Sequence, residues 1–153
     1  AGSHLTWRVS GSQTHDFQVS LDHILKESSA MIQPFISEIQ THGEWSLIYF
    51  FGEYSHTIIK RPKSGDFRVQ SEFGGSVLKE EPSRLLKQFA DGVISKLHAE
   101  GWAYARVDVV RSEQKYYLSE LELLEPCLYF EQDPGAASRF AGGLQKLFEK
   151  RFN

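Results

Sequence analysis

The chain has 153 residues and a formal net charge of −3, and 41% of its residues are hydrophobic. This composition is that of a globular domain with a real core, and it excludes a disordered chain. The charge argues against a nucleic-acid binder, and no apolar run approaches the roughly 20 residues that span a bilayer. Cys127 is the only cysteine. Because it cannot form an internal disulfide, we expect a reducing, cytoplasmic setting.

Short periodic patterns predict the elements of the N-terminal part. Residues 1–4, Ala-Gly-Ser-His, resemble a scar left by removal of a tag, so we predict one domain over residues 5–153. Residues 6–9 and 31–35 have the character of short strands. Residues 17–26 are predicted to form a helix, because apolar side chains recur there at four-residue spacing.

A hairpin and a third strand are predicted next. Residues 44–51 and 54–61 are strand-like runs that flank a tight turn at Gly52-Glu53. A turn is expected at residues 62–65, followed by a strand over 66–72 and a flexible loop over 73–76.

The second half is predicted to contain a helix, one more hairpin and a last helix. Ser83 is predicted to cap a helix that runs to about His98, and strands are predicted over 104–111 and 116–124. A last helix is predicted to begin at Asp133-Pro134. Its predicted buried face consists of Phe140, Leu144, Leu147 and Phe148. This order of elements indicates an α+β fold, an antiparallel sheet with packed helices.

Carboxylates cluster in the last two predicted strands. Asp108 lies in the first strand, and Glu120 and Glu122 lie in the second. Alternate residues of a strand share a face, so all three lie on one face if Asp108 pairs with Leu118 or Glu120. Such carboxylates repel one another unless a cation lies among them, and their hard oxygens suit Mg²⁺. The alternative is a solvated polar face on which Arg106 joins a surface ion-pair network.

Basic residues cluster around the turn at 62–65, and a glycine pair follows. Basic side chains near a mobile glycine loop suit a polyphosphate, whereas the alternative is a solvated basic turn. The residues concerned are Lys60, Arg61, Lys63, Arg68, Gly74 and Gly75.

The histidines show no spacing typical of metal ligands, so we interpret them as packing or surface residues. Ser55-His56 has no acidic partner at a recognisable spacing, and a hydrolase triad is therefore not supported.

Seven segments, taken together, resemble the ATP-grasp superfamily and within it the glutathione synthetase-like branch. They are Met31-Ile32-Gln33-Pro34-Phe35-Ile36, Gly43-Glu44-Trp45-Ser46, Ile59-Lys60-Arg61-Pro62, Gly65-Asp66-Phe67-Arg68-Val69-Gln70, Phe73-Gly74-Gly75-Ser76, Ala105-Arg106-Val107-Asp108 and Glu120-Leu121-Glu122-Leu123-Leu124-Glu125-Pro126. The resemblance implies the C-terminal part of an ATP-grasp fold, from a ligase that uses ATP and Mg²⁺, with Mn²⁺ as a substitute.

The resemblance also implies roles for individual residues. The backbone of Gln33, Pro34, Phe35 and Ile36 would meet the adenine, and Glu38 would hold the ribose. Lys60 and Arg68 would contact the substrate or the transferred phosphate, while Gly74 and Gly75 would close over the site. Asp108, Glu120 and Glu122 would bind the metal.

The sequence departs from the family pattern in two respects. Glu122 stands where many relatives carry Asn, which leaves open whether one or two metals bind. The N-terminal domain and most of the first lobe of the family fold have no counterpart in these residues, so we expect the isolated chain to be inactive.

The implied reaction joins a small-molecule carboxylate to an amine through an acyl phosphate. The alternative is a non-catalytic nucleotide-binding or protein-interaction module that retains the fold. A homo-oligomer is compatible with either function.

Overall fold

The computed structural model describes residues 6–63, 74–98 and 101–152. They belong to two compact units, Ala1–Ile36 and Ser37–Asn153. The first unit contains a 3-10 helix, Gly11–Gln13, and α1, Thr14–Glu27, which confirms the helix predicted over 17–26.

The two strands predicted in the first unit are wrong. Residues 6–9 and 31–35 have no regular structure, and Met31 and Ile32 are 86% and 83% exposed. A short apolar run forms a strand only where another strand pairs with its backbone. The described residues of this unit provide no such partner.

The second unit is built on a five-stranded antiparallel sheet with the strand order β3-β2-β1-β4-β5. Its elements are α2 (Ile39–His42), β1 (Glu44–Phe50), β2 (Glu53–Arg61), β3 (Ser76–Lys79), α3 (Arg84–Ile94), β4 (Tyr104–Ser112), β5 (Lys115–Glu122) and α4 (Ala136–Phe152). The predicted α+β class is thus confirmed. None of the helices in the described ranges is long and apolar enough to cross a membrane.

Both predicted hairpins are present, with strand ends within about two residues of the predicted ones. The strand predicted over 66–72 lies outside the described residues, as do parts of the turn at 62–65 and the loop at 73–76. Strand β3 was not predicted. It begins at Ser76, where the sequence indicated a loop, and it is only four residues long.

Helix α3 covers one face of the sheet. Its predicted cap is confirmed, because the Ser83 hydroxyl accepts a hydrogen bond from the Leu86 amide at 3.2 Å. The helix ends at Ile94 rather than near His98. Its buried side chains form one core with those of β1 and β4, which comprises Leu47, Tyr49, Leu86, Ala90, Ile94, Ala105, Val107 and Val109.

Helix α4 contributes to a second core with Ile48, Phe50 and Ile58. The helix begins at Ala136, two residues after Pro134, because Asp133 accepts the Gly135 amide at 2.9 Å in a preceding turn. Only part of its predicted buried face is buried. Phe140 packs 5.1 Å from Phe50, whereas Leu147 and Phe148 are 49% and 57% exposed. The contacts of α4 in this core come from Ala136 and Phe140 in its first two turns.

Asp133, in the turn before α4, is expected to make a contribution to stability that is lost in acid. Lys79 and Arg139 lie 2.9 and 3.1 Å from the Asp133 carboxylate, and Lys79, followed by Arg139, holds its pKa far below the usual range. A carboxyl whose folded pKa is lowered stabilises the fold above its unfolded pKa of about 4 and loses this contribution as the pH falls. We expect the urea midpoint to fall less between pH 7 and pH 3 in Asp133→Asn than in the unsubstituted chain. Equal falls would contradict this role.

Candidate functional site

On one face of the sheet, charged residues of the four longest strands form a cluster, which we call the charged face: Glu44, Lys60, Arg106, Asp108, Glu120 and Glu122. The strand register brings them together, because Glu44 pairs with Lys60, Asp108 with Glu120, and Arg106 with Glu122. Directly paired residues of neighbouring strands lie on the same side of a sheet.

Lys60 is a buried cation between two carboxylates. Its side chain is 6% exposed, and its Nζ contacts Glu44 Oε2 and lies 3.2 Å from Asp108 Oδ2. Burial disfavours the ammonium, but Asp108 and Glu44 outweigh burial and raise the pKa of Lys60. The interpretation as a solvated basic turn is therefore wrong for Lys60.

Arg106 holds the other side of Asp108. Its Nε lies 3.0 Å from Asp108 Oδ1, and its Nη2 lies 2.9 Å from both Asp108 Oδ2 and Glu122 Oε1. The Ser46 hydroxyl donates to Asp108 Oδ1 at 2.6 Å. Burial opposes the charge on Asp108, but Lys60 and Arg106 prevail and lower its pKa. Asp108 is thus an anion with cations at both of its oxygens.

The alternation of β4 and β5 predicted that Asp108, Glu120 and Glu122 share a face, and the register agrees. The alternative interpretation, a solvated polar face, is wrong for Asp108 and Arg106, which are 2% and 7% exposed. It fits Glu120, which is exposed.

Glu120 lacks the compensation that Asp108 has, whereas Glu122 forms an ion pair with Arg106. Reduced hydration, followed by the Glu122 and Asp108 carboxylates, raises the pKa of Glu120. Repulsion of this kind at Glu120 would be relieved by a cation. Within the part of the chain that the structure describes, however, no three His, Cys, Asp or Glu side chains are grouped to hold a metal. Binding of a metal by Asp108 therefore stays a prediction.

Two members of the charged face were not predicted as site residues. Glu44 is 8% exposed and joins Lys60 to Ser119, whose hydroxyl donates to Glu44 Oε1 at 2.7 Å. Arg106 was predicted only as a surface ion-pair residue. The predicted turn at Gly52-Glu53 would pair Glu44 with Arg61, and only the observed turn and a bulge between Ile48 and Tyr49 place it opposite Lys60. Local spacing therefore gave no signal for Glu44.

The other predicted site residues are not members of the charged face, or they are not described. Arg68 lies outside the described residues. Gly74, with φ of 81°, and Gly75 precede β3. Glu38, at the start of α2, accepts the Ser112 hydroxyl at 2.6 Å, and this bond lowers its pKa.

Gln33, Pro34, Phe35 and Ile36 belong to the first unit and have no regular structure. Arg8 lies over the Phe35 ring, 4.1 Å from its centroid. The predicted contact of this segment with adenine remains untested.

Comparison with known proteins gives the family of this five-stranded sheet. The model of the prokaryotic glutathione synthetase ATP-grasp domain matches residues 4–132. The chain therefore belongs to the prokaryotic glutathione synthetase ATP-grasp family.

Two solved structures share the fold. D-cycloserine synthetase DcsG is 26% identical with a TM-score of 0.74, over 88% of this chain and 48% of that one. D-alanine–D-alanine ligase from Bacillus anthracis, complexed with ATP, is 18% identical with a TM-score of 0.51, over 88% of this chain and 45% of that one. The chain thus spans about half the length of these structures. A comparison with curated protein sequences gave no match.

Proposed function

We propose that this chain forms part of a longer, cytoplasmic ATP- and Mg²⁺-dependent ligase that joins a carboxylate to an amine through an acyl phosphate. Membership of the ATP-grasp family supports ATP binding, and two ligases share the fold. The observation that carries the proposal is the charged face, where two buried cations lie beside carboxylates.

The charged face offers ligands of both signs to a metal–polyphosphate. Lys60 and Arg106 are cations whose present partners, Asp108 and Glu44, are anions. A phosphate oxygen can replace a carboxylate oxygen at such a cation, because both accept charge-assisted hydrogen bonds. The same two residues would then hold the phosphate chain and stabilise charge that develops during phosphoryl transfer.

The residues of the charged face fit Mg²⁺ at its outer strand. Glu120 and Glu122 are neighbouring hard oxygen donors, and Mg²⁺ in nucleotide sites often binds through one or two carboxylates together with phosphates and water. Asp108 would become a ligand only by giving up a contact with Lys60 or Arg106. When bound, Mg²⁺ would neutralise phosphate charge in the reaction.

The proposed reaction has two steps. A substrate carboxylate oxygen attacks the γ-phosphorus of ATP, and ADP leaves, which gives an acyl phosphate. The amine nitrogen then attacks the acyl carbon, phosphate leaves, and the amine loses a proton. No nucleophilic side chain of the protein is needed. Residues Lys60 and Arg68, the latter from the family resemblance alone, would position the transferred phosphoryl group.

Trapping of the acyl phosphate tests this proposal. Hydroxylamine should convert the intermediate into a hydroxamate, with release of ADP, when the longer protein receives ATP, Mg²⁺ and a panel of small carboxylates. The isolated chain should give neither product, because positioning the phosphates needs both walls of the cleft. A Glu120→Gln/Glu122→Gln variant of the longer protein should lose the product while remaining folded. Hydroxamate formation by that variant at an unchanged rate would contradict the proposal.

A non-catalytic module is the second candidate, and one observation favours it. The cations at Asp108 already neutralise it without any ligand, so the buried part of the charged face can stand as a structural ion network. Such a module could bind nucleotide but would form no ADP or hydroxamate with any carboxylate.

A further inference from the structure

The loop between β5 and α4, residues 123–135, is anchored to the sheet by two of its backbone carbonyls. Arg106 Nη1 donates to the Cys127 carbonyl at 3.3 Å, and His56 Nε2 lies 3.0 Å from the Leu128 carbonyl. Adjacent carbonyls of the loop therefore contact one residue of the charged face and one residue outside it.

Of these two partners, Arg106 belongs to the proposed phosphate site, whereas His56 has no role in it. It is 2% exposed, its ring lies 6.1 Å from that of Phe50, and its Nδ1 lies 2.9 Å from Ser55 Oγ. Ser55 Oγ also accepts a hydrogen bond from Arg139 Nε at 3.0 Å.

The partners of His56 fix its hydrogen-bonding roles. The Leu128 carbonyl can only accept, so the ring proton is assigned to Nε2. Ser55 Oγ accepts a hydrogen bond from Arg139 Nε, and its own hydroxyl group is then available to donate to His56 Nδ1. Donation thus runs in one direction from Arg139 through Ser55 and His56 to Leu128. Burial lowers the pKa of His56, which agrees with a neutral ring in this chain of bonds.

Leu128 lies between the two loop residues that touch Arg106. Cys127 accepts from the Arg106 guanidinium, and the Tyr129 ring lies 6.0 Å from Arg106 Cζ. Tyr129 has a φ of 52°, a left-handed conformation that is rare for an aromatic residue and persists only where its surroundings hold it. The hydrogen bond from His56 to the Leu128 carbonyl is therefore placed to hold the backbone of the two neighbouring residues, Cys127 and Tyr129.

We propose that His56 is a positioning residue for Arg106, because its bond to the Leu128 carbonyl holds the loop backbone that orients the Arg106 guanidinium on the charged face. The consequence for phosphate binding rests on the proposed function. The coupling between the two side chains does not, since it is a property of the chain without nucleotide.

The coupling can be measured as hydrogen exchange of the Arg106 Nε–H group by NMR, with Arg106→Lys used to assign the signal. His56→Leu removes the donor but keeps a similar volume. In this variant the exchange rate should rise on the order of tenfold, because the loss of about one hydrogen bond changes an equilibrium constant by that factor. His56→Gln should restore slow exchange, because its amide can reach the position of Nε2. His56→Asn, which is polar but too short to reach Leu128, should behave as His56→Leu does and serves if that variant does not fold.

Leu86→Ala is the matched control for a loss of packing, because Leu86 is buried in the core on the opposite face of the sheet. Its Arg106 signal should remain that of the unsubstituted chain. Unchanged exchange in both His56→Leu and His56→Asn, or an equal rise in Leu86→Ala, would overturn the proposal. Because the measurement is made without nucleotide, a failure of ATP binding would count against the proposed function and leave this result intact.

Discussion

Replacing Lys60 with methionine is expected to lower the free energy of unfolding by about 3–5 kcal/mol, the usual cost of removing one partner from a buried ion pair. The methionine fills a similar volume but leaves Glu44 and Asp108 facing each other across a site that is nearly closed to water. Urea denaturation at neutral pH measures the change.

Lys87→Met is the matched control for this substitution. Lys87 forms an ion pair with Asp91 in which the two side chains are 40% and 44% exposed, so water screens the charges. The expected loss there is less than about 1 kcal/mol. If both variants lose the same amount, Lys60 does not stabilise the charged face as described.

Mg²⁺ is expected to stabilise the chain, and the effect should disappear in a Glu120→Gln/Glu122→Gln variant. A ligand that binds only the folded state at 100 times its Kd adds about 2.7 kcal/mol to the free energy of unfolding. Without metal, Glu120→Gln alone should be no less stable than the unsubstituted chain, because it removes the repulsion between the two carboxylates and keeps the ion pair of Glu122 with Arg106. Thermal melts with and without millimolar Mg²⁺ measure both effects.

Glu80→Gln/Glu81→Gln controls for the loss of two negative charges. Both residues are exposed, and they lie between β3 and α3, outside the charged face. This variant should keep the full metal-dependent shift. A shift that persists in Glu120→Gln/Glu122→Gln would mean that the ion binds elsewhere.

The sequence predicted the hairpins well because their information is local. In β4 and β5, alternation and a short link predicted the hairpin, but the pairing of Asp108 with Glu120 also depends on a bulge between Asp108 and Val109 that the pattern does not reveal. The prediction of a strand over 31–35 was wrong because apolar character does not reveal whether a partner strand is present. Strand β3 was missed because four residues after a glycine pair give too short an alternation to recognise.

The burial of Lys60, Arg106 and Asp108 in the charged face could not be predicted from the sequence. Lys60 contacts Asp108 across 48 positions, and Ser46 contacts it across 62. The pattern of charges within one strand is the same whether its face is exposed to solvent or packed against other charges. Only the pairing of β1 with both β2 and β4 determines which of these two environments the charges have. The missed role of Glu44 has the same cause, because its partners lie on β2 and β5.

The central claim is that the charged face receives the metal and phosphates of ATP, and paramagnetic broadening by Mn²⁺ tests it most directly. Mn²⁺ in place of Mg²⁺, added together with ATP, broadens the NMR signals of nearby amides. We predict that broadening is strongest at Asp108, Glu120 and Glu122, is absent at Leu86 and Ala90 of α3, and is lost in Glu120→Gln/Glu122→Gln. Broadening centred on α3, or undiminished broadening in that variant, would contradict the account.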